Sequence, residues 1–146
     1  MIGLLQRVST ASVSVDAREI AAIARGLLVL VGVQKEDGVE QAGRLLERLL
    51  SYRVFPDEAG RMNRSLRDIG GGLLLVPQFT LAADTGKGTR AGFSTAAEPA
   101  RAKELFERLV REARAAWPQT ASGEFGADMQ VSLVNDGPVT FWLEAR

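Results

Sequence analysis

Polar and apolar positions fall into three patterns along this chain, and each predicts a different element. Val8 to Val15 alternates small polar with apolar residues, the period of a half-buried strand. Leu27-Leu28-Val29-Leu30-Val31 is apolar throughout, which suits a strand covered on both faces. From Val39 to Tyr52, the residues Ala42, Leu45, Leu46, Leu49 and Leu50 fall on one stripe of a helix. Phe55 to Gly60 reads as a turn, and Gly70-Gly71-Gly72 leads into an apolar strand, Leu73 to Val76.

A polar loop from Asp84 to Phe93 then precedes a second helix. Thr95 and Glu98 have capping-box spacing, and Pro99 sits in the first turn, where its missing N–H costs little. Ala102, Leu105, Phe106, Leu109, Val110, Ala113 and Trp117 continue the apolar stripe. Two strands close the chain, Met129 to Val134 and Val139 to Leu143, with a turn at Asn135-Asp136-Gly137-Pro138. The elements do not alternate as a regular βαβ series. They predict an α/β fold of mixed sheets with the two main helices on one side.

The 146 residues suit one domain, 1–146, with one core. Neither a signal peptide nor a membrane span is legible, so a cytoplasmic protein is expected. Composition narrows the chemistry further. The chain has no cysteine and no histidine, which excludes disulfides, zinc sites of the usual ligands, a thiol nucleophile and any imidazole base. No cluster of closely spaced carboxylates replaces them, so neither metal nor cofactor is expected. Formal net charge is zero, with 18 basic and 18 acidic residues. A nucleic-acid partner would then be held locally, at an end or a loop, rather than on a broad basic face.

Two segments carry more than patterning: Val76-Pro77-Gln78-Phe79-Thr80-Leu81 and Asn135-Asp136-Gly137-Pro138-Val139-Thr140. With Gln6-Arg7-Val8, Ala11 to Val15 and Gly126-Ala127-Asp128-Met129-Gln130, they resemble the D-aminoacyl-tRNA deacylase family from Gln6 to Trp142. The resemblance implies a three-layer β/β/α, barrel-like homodimer with active sites at its interface. It also implies hydrolysis of the ester between tRNA and a D-amino acid or glycine. In the family the Gly-Pro bond is cis and reaches into the partner's pocket, a role that falls here on Gly137 and Pro138.

A backbone wedge suits that task, because D and L esters differ only in where the side chain points. Two carbonyls can hold the α-ammonium, each charged hydrogen bond worth roughly 1.5–3 kcal/mol, while the same backbone blocks an L side chain. Glycine, with no side chain to exclude, should leak through. Read without the resemblance, Asp136-Gly137-Pro138 simply turns a hairpin. The amides of Phe79 and Thr80 are candidate oxyanion donors, and Gln78 shares their motif. Thr80 has no histidine or neighbouring lysine to activate it as a nucleophile. Attack by water assisted by the 2′-hydroxyl of the terminal adenosine is what the resemblance implies instead.

Arg7 is a candidate brace for the Gly-Pro loop, or else a surface arginine. Met129 lines the adenosine end of the pocket, or else the core. Lys87 and Arg90 are candidate contacts for acceptor-stem phosphates, and Trp117 and Trp142 are read as core or interface. One position departs from the family: Pro77 stands where serine is usual. Proline there resembles an animal branch that removes alanine from threonine tRNA and uses a trans Gly-Pro, but that branch lacks Phe79 and Arg7. Two other readings therefore stay open: an editing enzyme of relaxed chirality for small L-residues, and a non-catalytic RNA-binding dimer.

Overall fold

The computed structural model describes residues 1–146 and contains eight strands and three helices. In chain order they are β1 (Ile2–Val15), β2 (Arg18–Ile23), β3 (Gly26–Gly32), α1 (Val39–Ser51), β4 (Phe55–Pro56), β5 (Met62–Arg64), α2 (Leu66–Ile69), β6 (Gly72–Pro77), α3 (Pro99–Ala116), β7 (Thr120–Ser122) and β8 (Gln130–Glu144). A single 3-10 turn, Phe79–Ala82, follows β6. The fold is α/β, with one mixed six-stranded sheet curled nearly into a barrel and helices packed against it.

Strand β1 organises the sheet because it is long enough to serve two partners on one edge. Residues 2–8 pair with β3 and residues 11–15 with β2, while its other edge runs antiparallel to β8 along most of its length. β3 pairs parallel with β6, and β6 parallel with β7. Strand alternation sorts side chains into two cores. Leu27, Val29, Val31, Leu73 and Leu75 point toward the helices and meet Leu45, Leu49, Leu105 and Leu109. Leu28, Leu74 and Val76 point the other way and meet Val8, Val13 and Ala21, carried over by the curl of β1 and β2. The continuous apolar runs are thus buried on both faces, as parallel central strands require.

Both helical stripes are buried as their spacing indicates, from Ala42 to Leu50 in α1 and from Ala102 to Ala113 in α3. No helix is long and apolar enough to cross a membrane.

Several expectations are corrected. The first strand starts at Ile2 rather than Val8, and Arg18–Ile23 forms a strand that its composition does not announce. A third helix, the four-residue α2, is held by a Ser65–Asp68 capping box. The turn at Phe55 opens as a strand instead: Phe55 is fully buried and the β4–β5 hairpin turns at 57–60. Thr95 does not cap α3; its hydroxyl donates to the Ala82 carbonyl, and Glu98 is the cap residue with Pro99 first in the helix. Trp117 half-buries its ring and donates to the Gly71 carbonyl, whereas Trp142 is 52% exposed.

The largest correction concerns residues 135–138. They do not reverse the chain, since the segments on either side both pair with β1 in one direction, as a single strand β8. Gln6 opposes Thr140 and Val8 opposes Asn135, so five steps on β8 face two on β1. Three extra residues are pushed out as a bulge, the device by which a strand re-aims a few residues without ending its ladder.

Candidate active site

At the end of β6 the sheet gives way to the cleft. Pro77 lies opposite Val31 of β3 but beyond the reach of β7, whose pairing stops at Leu75–Ser122. Its missing N–H therefore removes no bond to β7. Gln78 still donates its amide to the Val31 carbonyl at 2.8 Å, after which the chain tightens into the 3-10 turn. Phe79 and Thr80 supply the first amides of that turn, which have no partner inside it. The Gln78 side-chain amide donates to the Thr80 hydroxyl, fixing both groups on the same rim.

Beside this turn lies a cleft of about 680 Å³. Gln78 and Phe79 form one wall, Phe93 and the start of α3 another, and Phe125 with Asp128 and Met129 a third. Phe79 is 60% exposed, and its ring stands 5.2 Å from that of Phe93. Met129 is half-buried, packed on the inner core of the curled sheet and also open to the cleft. The only titratable side chains in the lining are Glu98 and Asp128. No cluster of three or more potential metal ligands exists in the chain.

The β8 bulge is a separate construction. Its Gly137–Pro138 peptide bond is cis, and Gly137 has φ +146°, a region that side chains rarely enter. A Cβ on Gly137 would stand 2.7 Å from Val139 Cγ2 and 2.9 Å from Val139 N, so only glycine fits. The neck of the bulge is closed by Asn135, whose Oδ1 accepts from the Val139 amide at 2.7 Å and whose Nδ2 donates to Thr140 Oγ1 at 2.8 Å. Arg7 braces it from β1: Nε donates to the Asp136 carbonyl and Nη1 to the Val54 carbonyl, both at 2.8 Å. Nε also lies 3.8 Å from the Asp136 carboxylate. The Arg7 side chain is only 13% exposed, which rules out the reading of a free surface arginine.

Within one chain, then, Gln78, Phe79 and Met129 come together around the cleft, with Thr80 on its rim. Arg7, Gly137 and Pro138 form a second group that does not line it. Gly137 and Pro138 are exposed. Sequence reasoning missed Phe93, Phe125 and Asp128. The last belongs to a segment already singled out, but the two phenylalanines carry no local signal, because only the fold brings their loops beside Phe79.

Carboxyls held below their usual range all lie away from the cleft. Glu47 is lowered chiefly by hydrogen bonding from Arg67, Asp57 by Asn63 and then the Arg61 amide, Asp68 by the Ser65 amide and Glu144 by Arg146. These are structural pairings made outside the cleft.

Comparison with known proteins gives a consistent answer. The family described as "D-Tyr-tRNA(Tyr) deacylase" matches residues 4–144. A D-aminoacyl-tRNA deacylase of Alkalilimnicola ehrlichii is 66% identical over 146 residues, covering 100% of this chain and 97% of the relative. One from Pseudomonas putida is 62% identical over 144 residues, covering 99% of each. Among solved structures, a c-Myc DNA unwinding element binding protein superposes with a TM-score of 0.95 at 36% identity, over 100% of this chain and 99% of that one. A probable eukaryotic D-amino acid tRNA deacylase shares the fold, at TM-score 0.85 and 18% identity over 98% of each chain.

Proposed function

The chain belongs to the D-Tyr-tRNA(Tyr) deacylase family, and from that premise we propose that it hydrolyses the ester joining a D-amino acid, or glycine, to tRNA. The reading is carried by the split of the site: a cleft without a chiral filter and, elsewhere on the same chain, a stiff exposed bulge without a cleft. Two copies related by a two-fold axis complete each other, each placing Gly137 and Pro138 over the partner's cleft. Strand β8 pairs only with β1 and exposes Leu133, Val134 and Trp142, apolar surface that such a homodimer would cover.

In this arrangement backbone carbonyls of the bulge hold the α-ammonium, and the same backbone fills the space an L side chain would need. The terminal adenosine lies in the cleft near Met129, and Phe79 with Gln78 borders the ester. As the tetrahedral intermediate forms, the Phe79 and Thr80 amides receive its oxyanion; loss of one such donor costs about 2.7–4 kcal/mol. Water attacks with help from the substrate's own 2′-hydroxyl, since the cleft supplies no imidazole, thiol or lysine. The enzyme works in the cytoplasm, where aminoacyl-tRNA is found, and uses neither metal nor cofactor.

The deciding experiment offers purified protein D-Tyr-, Gly-, L-Ala- and L-Tyr-tRNA and follows ester loss. Loss of D-Tyr and Gly with L-Tyr spared is the expected pattern, at a preference of a thousandfold or about 4 kcal/mol. Pro77 favours a second reading, since it removes the serine hydroxyl usual in the family; appreciable L-Ala loss would establish that relaxed chirality. Binding of RNA without any ester loss would establish a non-catalytic dimer.

A further inference from the structure

The polar loop between the two cleft walls takes no part in the chemistry above. It starts where the 3-10 turn ends and finishes at Phe93, so both feet stand on residues that line the cleft or adjoin it. Those feet are tied together: the Asp84 amide donates to the Gly92 carbonyl at 2.8 Å, and the Gly92 amide returns to the Asp84 carbonyl at 2.9 Å. The Asp84 carboxylate accepts the Gly86 amide at 2.9 Å, at the foot of the loop. That leaves Lys87 and Arg90 as the only other charges, both exposed and neither ion-paired. On α3, Arg101, Lys103 and Arg108 each sit beside a glutamate while Arg111 and Arg114 do not, so what sets Lys87 and Arg90 apart is their place on a loop footed at the cleft wall.

On this tied loop two exposed cations outnumber the single carboxylate, a local excess of positive charge in a chain of zero net charge. Arg90 lies three residues from Phe93, at most about 10 Å of chain from the cleft wall. We infer that residues 84–92 are the surface on which the acceptor-stem backbone of the substrate RNA rests, with Lys87 and Arg90 meeting its phosphates. The identity of the polyanion rests on the deacylase reading. The contact tells duplex-bearing RNA from a bare aminoacyl-nucleoside, and it is indifferent to sequence because phosphates carry none.

The test compares wild type, Lys87→Ala, Arg90→Ala and the double variant on D-Tyr-tRNA and on the D-tyrosyl ester of adenosine, which has no stem. Arg114→Ala serves as a charge-matched control, about 18 Å along α3 from the cleft residue Ala102. Expected for the double variant is a rise in KM for D-Tyr-tRNA on the order of tenfold. Its kcat should hold, its rate on the nucleoside ester should not change, and the dependence of log KM on log salt should flatten by about one per cation. Unchanged KM and salt slope would overturn the inference, as would an equal loss on the nucleoside ester, which would put the cations in the pocket itself. The deacylase reading fails separately. A wild type that cleaves nothing, yet binds uncharged tRNA with a salt slope that these substitutions flatten, would sink that reading and keep this surface; no tRNA binding at all would sink both.

Discussion

Arg7 shows how one side chain ties distant parts of the chain to a function. It reaches from β1 to the carbonyls of Val54 and Asp136, joining the β4 region to the bulge of β8. Each hydrogen bond from a charged donor contributes roughly 1.5–3 kcal/mol. Arg7→Ala should therefore lower kcat/KM on D-Tyr-tRNA by tenfold or more, with L-Tyr discrimination eroding alongside. Arg7→Lys should not rescue it, because one ammonium cannot reproduce the forked geometry. Thr80→Ala tests the opposite expectation. If the oxyanion is held by amides and water is the nucleophile, single-turnover rates should fall by no more than a few-fold. A loss of a thousandfold would make the hydroxyl chemically essential.

Elements rather than residues fix where the cleft opens. The parallel pairing of β3 with β6 carries the chain to Pro77 and releases it at Gln78 into the 3-10 turn. That pairing needs close approach at its first rung: a Cβ on Gly26 would stand 2.0 Å from the Gly72 carbonyl oxygen. Gly26→Ala must push the two backbones apart, at a cost of about 3 kcal/mol. The melting temperature should drop by roughly 6–12 °C, read by circular dichroism. A variant melting like wild type would show that the strands can slide without penalty.

For the whole molecule, the absence of histidine shapes the response to pH. No side chain has its ordinary pKa between pH 5 and 7, so stability should be flat there. The carboxyls of Glu47, Asp57, Asp68 and Glu144 are lowered on folding, so their contribution is present above the unfolded value near 4. It is lost as pH falls through the lower folded values. Melting temperatures should thus hold from pH 7 to 5 and decline only below about pH 4; a step near pH 6 would contradict this.

Much of the architecture was legible because its signals are local. The stripe from Ala42 to Leu50, the stripe from Ala102 to Ala113 and the run from Leu27 to Val31 each encode their own burial through periodicity. The motif at Gln78-Phe79-Thr80 and the Gly137-Pro138 pair stood out only through the family resemblance; their residues alone read as the end of a strand and a turn. What the sequence could not decide was how distant segments pair. Residues 135–138 look like a turn by composition, and become a bulge only because β1 is long enough to hold β8 on both sides of them. Phe93 and Phe125 join Phe79 for the same reason: their meeting depends on strand order and on the curl of the sheet. Such contacts between remote segments leave no periodic trace in either one, so the tertiary structure alone settles them.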